Sequence, residues 1–149
     1  MNAVKKIITR IEADPKKKAA NAELSILRTA AYCRVSTDSS DQLESYKAQV
    51  AYYTDAIAKN PKWRFAGIYA DEGLSGTQAA KRDDFLRMIR DCEKGKIDYI
   101  ITKSVARFAR NTVDALKYVR KLKALGIGVY FEEQCLDSLK SESELALGI

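Results

Sequence analysis

Short apolar runs alternate with helix-like apolar spacing along the chain from residue 28 onwards. Four runs have the length and composition of buried strands, at residues 29–35, 63–70, 97–102 and 128–132. Between them, apolar residues recur three or four positions apart, as on one helix face, in three sets: Leu43, Tyr46, Val50, Tyr53 and Ile57; Phe85, Met88, Ile89 and Cys92; and Val113, Leu116, Val119 and Leu122. Because strands that alternate with helices form parallel βαβ units, the sequence predicts an α/β fold in which helices flank a mostly parallel sheet of four or five strands.

Residues that end or begin helices lie between these segments. Asn60 and Pro61 end the first helix, since the residue before a proline disfavours the helical conformation. Gly95 and Gly126 follow the second and third helices at the position where glycine commonly ends a helix. Asn111, followed by an aspartate three residues later, predicts the start of the third helix.

Composition supports one domain and shows where the positive charge lies. The chain has 149 residues, of which 46% are apolar, and this is enough to bury a core. We place the domain at residues 28–140, after a basic, flexible extension at 1–27 and before the start of a further helix at 141–149. Residues 1–28 carry +4 of the net charge of +6, so the overall charge says little about a nucleic-acid partner. A denser basic group lies at residues 101–125, which hold seven Lys and Arg residues and one acid.

Some residue types are absent or rare, and this excludes several kinds of catalytic and metal site. The chain has no histidine, which excludes Ser-His-Asp and Cys-His catalysis and most transition-metal sites. Its three cysteines, Cys33, Cys92 and Cys135, form no CxxC motif, so we expect buried thiols in a reducing compartment. There is no secretory signal and no apolar run of about 18 residues. We therefore expect a soluble cytoplasmic protein without a membrane segment.

Candidate site residues follow the predicted strands, at the edge where α/β proteins gather their active residues. Arg34 and Ser36 end the first strand and, being two residues apart, leave the same face of an extended chain. The planar guanidinium matches the oxygens of a phosphate group. After the third strand come Lys103, Arg107 and Arg110, and the two arginines share a face if the segment forms a helical turn. The loop after the second strand, which is able to fold over this edge, adds two further candidates: Ser75 and Arg82.

Three motifs together resemble the catalytic domain of serine recombinases, the resolvase/invertase family. They occur in the family's order and approximate spacing and span residues 29 to about 147: Tyr32-Cys33-Arg34-Val35-Ser36-Thr37, Glu72-Gly73-Leu74-Ser75-Gly76 with Arg82, and Ala106-Arg107-Phe108-Ala109-Arg110-Asn111. The long segment between Ser36 and Gln49 and the Gly-Leu-Ser-Gly loop are more similar to the large branch of integrases and transposon recombinases. Ala106 stands where small resolvases carry an aspartate, which also agrees better with the large branch.

The resemblance implies a resolvase-like catalytic domain that carries out site-specific DNA recombination. Ser36 would attack the scissile DNA phosphate to give a 5′-phosphoserine, and strand exchange and religation would follow. Arg34, Arg107 and Arg110 would bind the phosphate and stabilise its transition-state charge. The contacts that position the DNA phosphate would come from four further residues: Gln49, Ser75, Arg82 and Lys103.

The resemblance also implies partners and a wider architecture. The substrate would be double-stranded DNA, and a homodimer would assemble into a tetramer on paired sites. No metal or other cofactor would be needed. In the family, DNA-binding domains follow a long helix, and residues 141–149 would form the start of that helix.

Three alternatives have different requirements. A receiver-like or flavodoxin-like signalling domain shares the alternating pattern, but a receiver needs acids at the end of the first strand, where this chain has Arg34 and Ser36. A non-cutting DNA-binding regulator on the same fold would not need the serine and the arginines that this chain retains. A magnesium-dependent phosphotransfer domain would leave the arginines unexplained and would use four carboxylates: Asp71, Glu72, Glu132 and Glu133.

Overall fold

Five strands form one sheet in the computed structural model of the chain, which describes residues 26–36, 41–73 and 82–140. β1 to β4 run parallel, β5 pairs antiparallel with β4, and the spatial order is β2-β1-β3-β4-β5. The predicted α/β class with a mostly parallel sheet is therefore confirmed. The strands are β1 (Leu27–Ser36), β2 (Trp63–Gly73), β3 (Tyr99–Thr102), β4 (Gly128–Phe131) and β5 (Leu136–Asp137).

β1 lies between β2 and β3, and its carboxyl end extends beyond the carboxyl end of β3. It pairs with β2 over its whole length, which is why β2 continues to Gly73 instead of ending at the predicted Ala70. β3 begins later than predicted and ends at Thr102, opposite Tyr32 of β1. The last residues of β1 therefore project beyond β3 at the carboxyl edge of the sheet. The predicted extension at 1–27 lies outside the described residues up to residue 25, and residue 27 already belongs to β1. The helix start at 141–149 also lies outside the described residues.

The helices are α1 (Asp41–Lys59), α2 (Asp83–Glu93), α3 (Val105–Phe108) and α4 (Thr112–Ala124). α1 ends before Asn60 and Pro61, as predicted. Gly95 and Gly126 have φ angles of +76° and +81°, the left-handed conformation expected of glycines that end helices. The side-chain oxygen of Asn111 accepts the N–H of Asp114 at 2.8 Å and caps α4. Within the described ranges, every helix is too short or too polar to cross a membrane.

The two faces of the sheet bury different residues because side chains alternate along each strand. On one face, Ala30 and Tyr32 of β1 pack in a large cluster with residues of α2, α3 and α4. On the other face, Ala31 and Cys33 pack in a smaller cluster with Tyr53 and Ile57 of α1. α1 therefore covers one face, and the other three helices belong to the other.

The predicted inner face of α1 is confirmed at Tyr53 and Ile57, which are buried, but it is wrong at Tyr46, which is 37% exposed. Gln49 reaches the backbone of Arg34 near the end of β1. Tyr46, almost one turn earlier, therefore lies where the sheet ends and offers nothing to pack against. The side chain of Leu43, which was predicted on the same face, is outside the described part of the structure.

Two further predictions are corrected by exposed side chains. Val113 is 76% exposed, whereas Ala115 and Leu116 are buried in the same turn. Since two residues turn a helix by about 200°, burial of Ala115 directs Val113 towards solvent. Cys33 and Cys92 are buried as predicted, and burial raises the pKa of each thiol to about 12. Cys135 is exposed, because it lies in the turn after β4 with a φ angle of +51°.

Candidate active site at the carboxyl edge of the sheet

The end of β1 carries the backbone of Ser36 to the carboxyl edge. Ser36 is the last residue of the strand and pairs with Gly73 of β2. β3 has already ended opposite Tyr32, so the carbonyl of Arg34 lies beyond the last β3 pairing. The guanidinium of Arg107 meets that carbonyl and donates to it from Nη1 at 2.7 Å. An arginine side chain therefore contacts the backbone of β1 two residues before the candidate nucleophile.

Local structure holds Arg107 in this position. α3 is a single helical turn, and the hydroxyl of Ser104 caps it by accepting the backbone N–H of Arg107 at 3.2 Å. The next residue, Phe108, is fully buried between the rings of Phe85 and Phe131, with centroids 5.2 and 5.5 Å away. Because Phe108 is anchored in the core, its neighbour Arg107 is left to reach the end of β1.

Arg34 and Gln49 complete this group. The Arg34 guanidinium donates from Nη1 to the carbonyl of Ala106 at 3.3 Å, so the strand and α3 are linked in both directions. The side-chain amide of Gln49 lies 3.5 Å from the Arg34 carbonyl and 3.4 Å from the hydroxyl of Ser45 on the same helix. Three of the candidate residues, from β1, α1 and α3, thus meet at one backbone carbonyl.

Glu132, which the sequence suggested only as a metal ligand, links α1 to this edge. It follows β4 directly, and its carboxylate accepts the hydroxyls of Tyr52 at 2.8 Å and Tyr53 at 2.7 Å. Its backbone N–H donates to the carbonyl of Thr102 at the end of β3. Sequence analysis missed this contact, because nothing in the residue pattern places Tyr52 and Tyr53 opposite the end of β4.

Asp71 makes a second contact that sequence analysis missed. Its buried carboxylate accepts the Tyr32 hydroxyl at 2.7 Å and the backbone N–H groups of Asp84 and Phe85 at 2.9 and 3.0 Å. It therefore fixes the start of α2 against β1 and β2. Burial and then the Asp71 hydrogen bond raise the pKa of Tyr32, which keeps that hydroxyl protonated.

The remaining candidates are dispersed. Arg82 turns into the aromatic cluster, where its guanidinium lies 3.7 Å from the centroid of the Phe85 ring and donates to the Phe108 carbonyl. Lys103 and Arg110 are exposed after β3 and α3. Among the described residues, Arg110 has no hydrogen-bond or ion-pair partner. Ser75 lies outside the described ranges.

The carboxylates of the metal-dependent alternative do not converge. Asp71 is bound by Tyr32 and the start of α2, and Glu132 is bound by two tyrosines of α1. Over residues 26–36, 41–73 and 82–140, no group of three or more His, Cys, Asp or Glu side chains is placed to hold a metal ion.

Comparison with known proteins settles the family. The model of the resolvase N-terminal domain matches residues 29–149, most of the chain. The chain belongs to the resolvase family of serine recombinases. The N-terminal catalytic domain of TP901-1 integrase is similar in structure, with 25% identity, a TM-score of 0.60, and coverage of 80% of this chain and 88% of that one. A resolvase family site-specific recombinase from Streptococcus pneumoniae has 26% identity and a TM-score of 0.62, covering 80% of this chain and 83% of that one.

Transposon-associated members of the family share the fold. The C-terminal catalytic domain of ISC1926 TnpA, an IS607-like serine recombinase, has 18% identity and a TM-score of 0.52, covering 69% of this chain and 68% of that one. A search of curated proteins finds no match. Serine recombinases are enzymes that cut and rejoin DNA, so the expected family and enzyme class are confirmed. The alternative of a receiver-like signalling domain is wrong.

Proposed function

We propose that this serine recombinase domain cleaves DNA through Ser36. The Ser36 oxygen attacks the scissile phosphorus and loses its proton as the new P–O bond forms. The bond from phosphorus to the 3′ oxygen breaks, and that oxygen gains a proton and leaves as a 3′-hydroxyl. The 5′-phosphoserine link conserves the energy of the broken bond, so that a 3′-hydroxyl of an exchanged strand rejoins the DNA by the reverse step.

The observation that carries this proposal is the meeting of Arg34 and Arg107 two residues before Ser36. A guanidinium has five N–H donors. In the contacts described above, each of these arginines uses one donor on a backbone carbonyl, and other N–H groups remain to bind phosphate oxygens. Phosphoryl transfer needs mostly positioning and charge stabilisation, which two fixed arginines supply.

Partial burial makes these arginines more effective. Arg34 and Arg107 are half-buried, and the interaction of a charge with a phosphate is stronger where water is partly excluded. The exposed Arg110 and Lys103 lie nearby in the chain and suit contacts to the DNA backbone, which orient a duplex without reading its sequence. In this proposal Arg110 also binds the scissile phosphate.

The other candidate residues act around this group. Gln49 positions the end of β1 from α1. Arg82 supports α3 through the carbonyl of Phe108, which lies between Arg107 and Arg110 in the chain. Ser75 is proposed to position the substrate from the segment after β2. No metal is required, because the arginines supply the positive charge.

The proposed partners follow from the chain's membership of the serine recombinase family. The substrate is double-stranded DNA, and two chains form a homodimer that assembles into a tetramer on paired sites. The proposed domain spans residues 28–140, and residues 141–149 begin a helix that leads to DNA-binding domains. Without such domains the chain should bind DNA weakly and without sequence preference, with a Kd of roughly 10⁻⁴–10⁻⁶ M.

A covalent trap tests the proposal. The whole chain is fused, through an intact long helix from a related recombinase, to a sequence-specific DNA-binding domain. The duplex carries paired binding sites and a nick beside the cleavage position, so that the short 3′-hydroxyl strand dissociates and religation stops. The reaction is run in EDTA, and adducts are mapped by mass spectrometry.

The wild-type fusion should form a 5′-phosphoryl adduct on Ser36, and Ser36→Ala should form none. Arg107→Ala should slow adduct formation by about 10²–10³-fold, the usual effect of removing one aligned donor. Lys123→Ala, which removes an exposed charge of α4, is the matched control and should react normally. A fusion that binds its sites but forms no adduct would instead support a non-cutting regulator, with Ala106 as the first position to restore to aspartate.

A further inference from the structure

Glu132 is placed to join α1 to the sheet at the level of the candidate active site. Each oxygen of its carboxylate accepts one hydroxyl, Oε1 from Tyr53 and Oε2 from Tyr52. The two rings stand nearly perpendicular, with centroids 4.9 Å apart. Hydrogen bonds to a charged acceptor are stronger than neutral ones, and two of them fix the orientation of the carboxylate.

Hydrogen bonds also connect the backbone of Glu132 to β1 through Thr102. The backbone N–H of Glu132 donates to the Thr102 carbonyl at 3.0 Å, and the Thr102 hydroxyl donates to the Tyr32 carbonyl at 2.9 Å. Thr102 is fully buried, so this path lies inside the sheet edge. A continuous set of hydrogen bonds thus runs from α1 through Glu132 and β3 to the strand that carries Ser36.

Gln49 lies on the same side of α1 as the two tyrosines. Residues three and four apart are neighbours on a helix surface, so Gln49, Tyr52 and Tyr53 share one side of α1. Gln49 approaches the Arg34 carbonyl, which Arg107 also binds. The Glu132 contact therefore sets how far α1 stands from the end of β1, and with it the position of Gln49.

The pKa shifts of the groups around Glu132 agree with this arrangement. The hydrogen bond from Tyr52 to Glu132 raises the pKa of Tyr52, and burial followed by the same carboxylate raises the pKa of Tyr53. Both hydroxyls therefore remain donors at neutral pH. Burial raises the pKa of Cys33, beside Arg34, to about 12, while the charge of Arg107 opposes the rise and that of Glu132 adds to it. The acid and the arginine thus act on the same point of β1.

We propose that Glu132 is a positioning residue for DNA cleavage, which acts by holding Tyr52 and Tyr53 so that α1 and Gln49 stay aligned with Arg34 and Arg107. The inference rests on the proposed cleavage through Ser36.

The test compares Glu132→Ala with the wild type in the covalent trap and measures the adduct rate at saturating DNA, the Kd for DNA and the free energy of unfolding. Glu132→Ala should lower the rate by about 10²-fold, the effect of a small misplacement of reacting groups, with the Kd unchanged. Glu132→Gln should recover most of that rate, because its oxygen accepts one hydroxyl and its amide donates to the other. Glu133→Gln, an exposed neighbour, is the matched control and should react as the wild type does.

Substituting the tyrosines by phenylalanine gives an independent test, because only the hydroxyl is removed and no large cavity is left. Tyr53→Phe should slow cleavage more than Tyr52→Phe, because Tyr53 is buried and Tyr52 is 56% exposed. The side-chain amide resonance of Gln49 should shift in both variants. Equal adduct rates for Glu132→Ala and the wild type overturn the inference alone, and so does a rate loss matched by an equal loss of DNA affinity or folding. A wild-type fusion that binds DNA but forms no adduct overturns the proposed function as well.

Discussion

The two faces of the sheet are held together in different ways. On the face of α2, α3 and α4, aromatic rings pack edge to face around Phe85, which contacts Tyr32, Phe108 and Tyr118 with centroids 4.9 to 5.2 Å apart. On the face of α1 the buried cluster is smaller, and hydrogen bonds to Glu132 and Arg34 add to it. We infer that the first face maintains the fold and anchors α3, whereas the second holds α1 and Gln49 in register with the end of β1.

Charged residues show the same contrast. Arg82 lies over the Phe85 ring, in the aromatic cluster, and its Nε is buried without a hydrogen-bond partner among the described residues. Arg34 and Arg107 lie at the strand end, half-buried, with donors left for a ligand. Substitutions in the aromatic cluster should therefore change stability first, and those of side chains at the end of β1 should change the cleavage rate first.

The largest stability effect is expected from Phe85→Ala. The side chain is fully buried at the centre of the aromatic cluster, so its removal should lower the free energy of unfolding by about 3–5 kcal/mol. Urea denaturation followed by circular dichroism measures this change. Phe65→Ala, on β2, is the matched control, since its side chain is 49% exposed and should cost much less. Equal effects of the two substitutions would remove the distinction between the faces.

Asp71→Asn should have an intermediate effect. Asp71 accepts one O–H and two N–H donors in a buried position, and an asparagine cannot satisfy them all, because its amide nitrogen is a donor. We expect a loss of about 1–3 kcal/mol in the free energy of unfolding. Asp83→Asn, in the exposed first turn of α2, serves as the control in the same denaturation experiment. An unchanged denaturation midpoint for Asp71→Asn would show that this carboxylate does not anchor α2.

The smallest effect is expected at the ion pair of Arg28 and Asp98, which lies at the amino edge. Hydrogen bonds from Arg28 at 2.8 to 2.9 Å lower the pKa of Asp98 below its usual value. A carboxyl group whose pKa is lowered by folding stabilises the protein above its unfolded pKa of about 3.9, and this contribution is lost as the pH falls through the folded pKa.

The pair is tested by measuring the urea midpoint between neutral and acid pH for the wild type and Asp98→Asn. The wild type should be slightly more stable at neutral pH, and the difference should disappear in acid. A difference that persists below the folded pKa would mean that the charge of Asp98 is not what stabilises this edge.

Residue patterns predicted the parts of this structure that depend on local physics. The alternation of apolar runs gave the sheet class, and Gly95, Gly126 and Asn111 marked helix limits because their backbone and side-chain properties act locally. The grouping of Arg34 with Arg107 followed from the rule that active residues gather at strand ends. These features need no knowledge of which helix lies on which face.

Other features depend on packing that a single sequence does not contain. Tyr46 fits the helix spacing of α1, yet it is exposed because the sheet ends beneath it. Arg82 is separated from Phe108 by many residues, and only the folded chain shows that its guanidinium turns inward. Glu132 looked like a metal ligand until its position beside Tyr52 and Tyr53 showed that its carboxylate was already bound.

The antiparallel course of β5 carries the chain away from the edge of the sheet that holds the candidate site. After β4 the chain turns back, and Ser138 bonds to Val129 on the way towards the amino edge. Leu27, which pairs with Trp63, begins β1 at that edge, whereas Ser36 lies at the opposite end of a ten-residue strand. At about 3.3 Å per residue, this separation is about 30 Å. The turn into β5 therefore carries the chain to the edge of the sheet opposite the one that holds Ser36, about the length of β1 away.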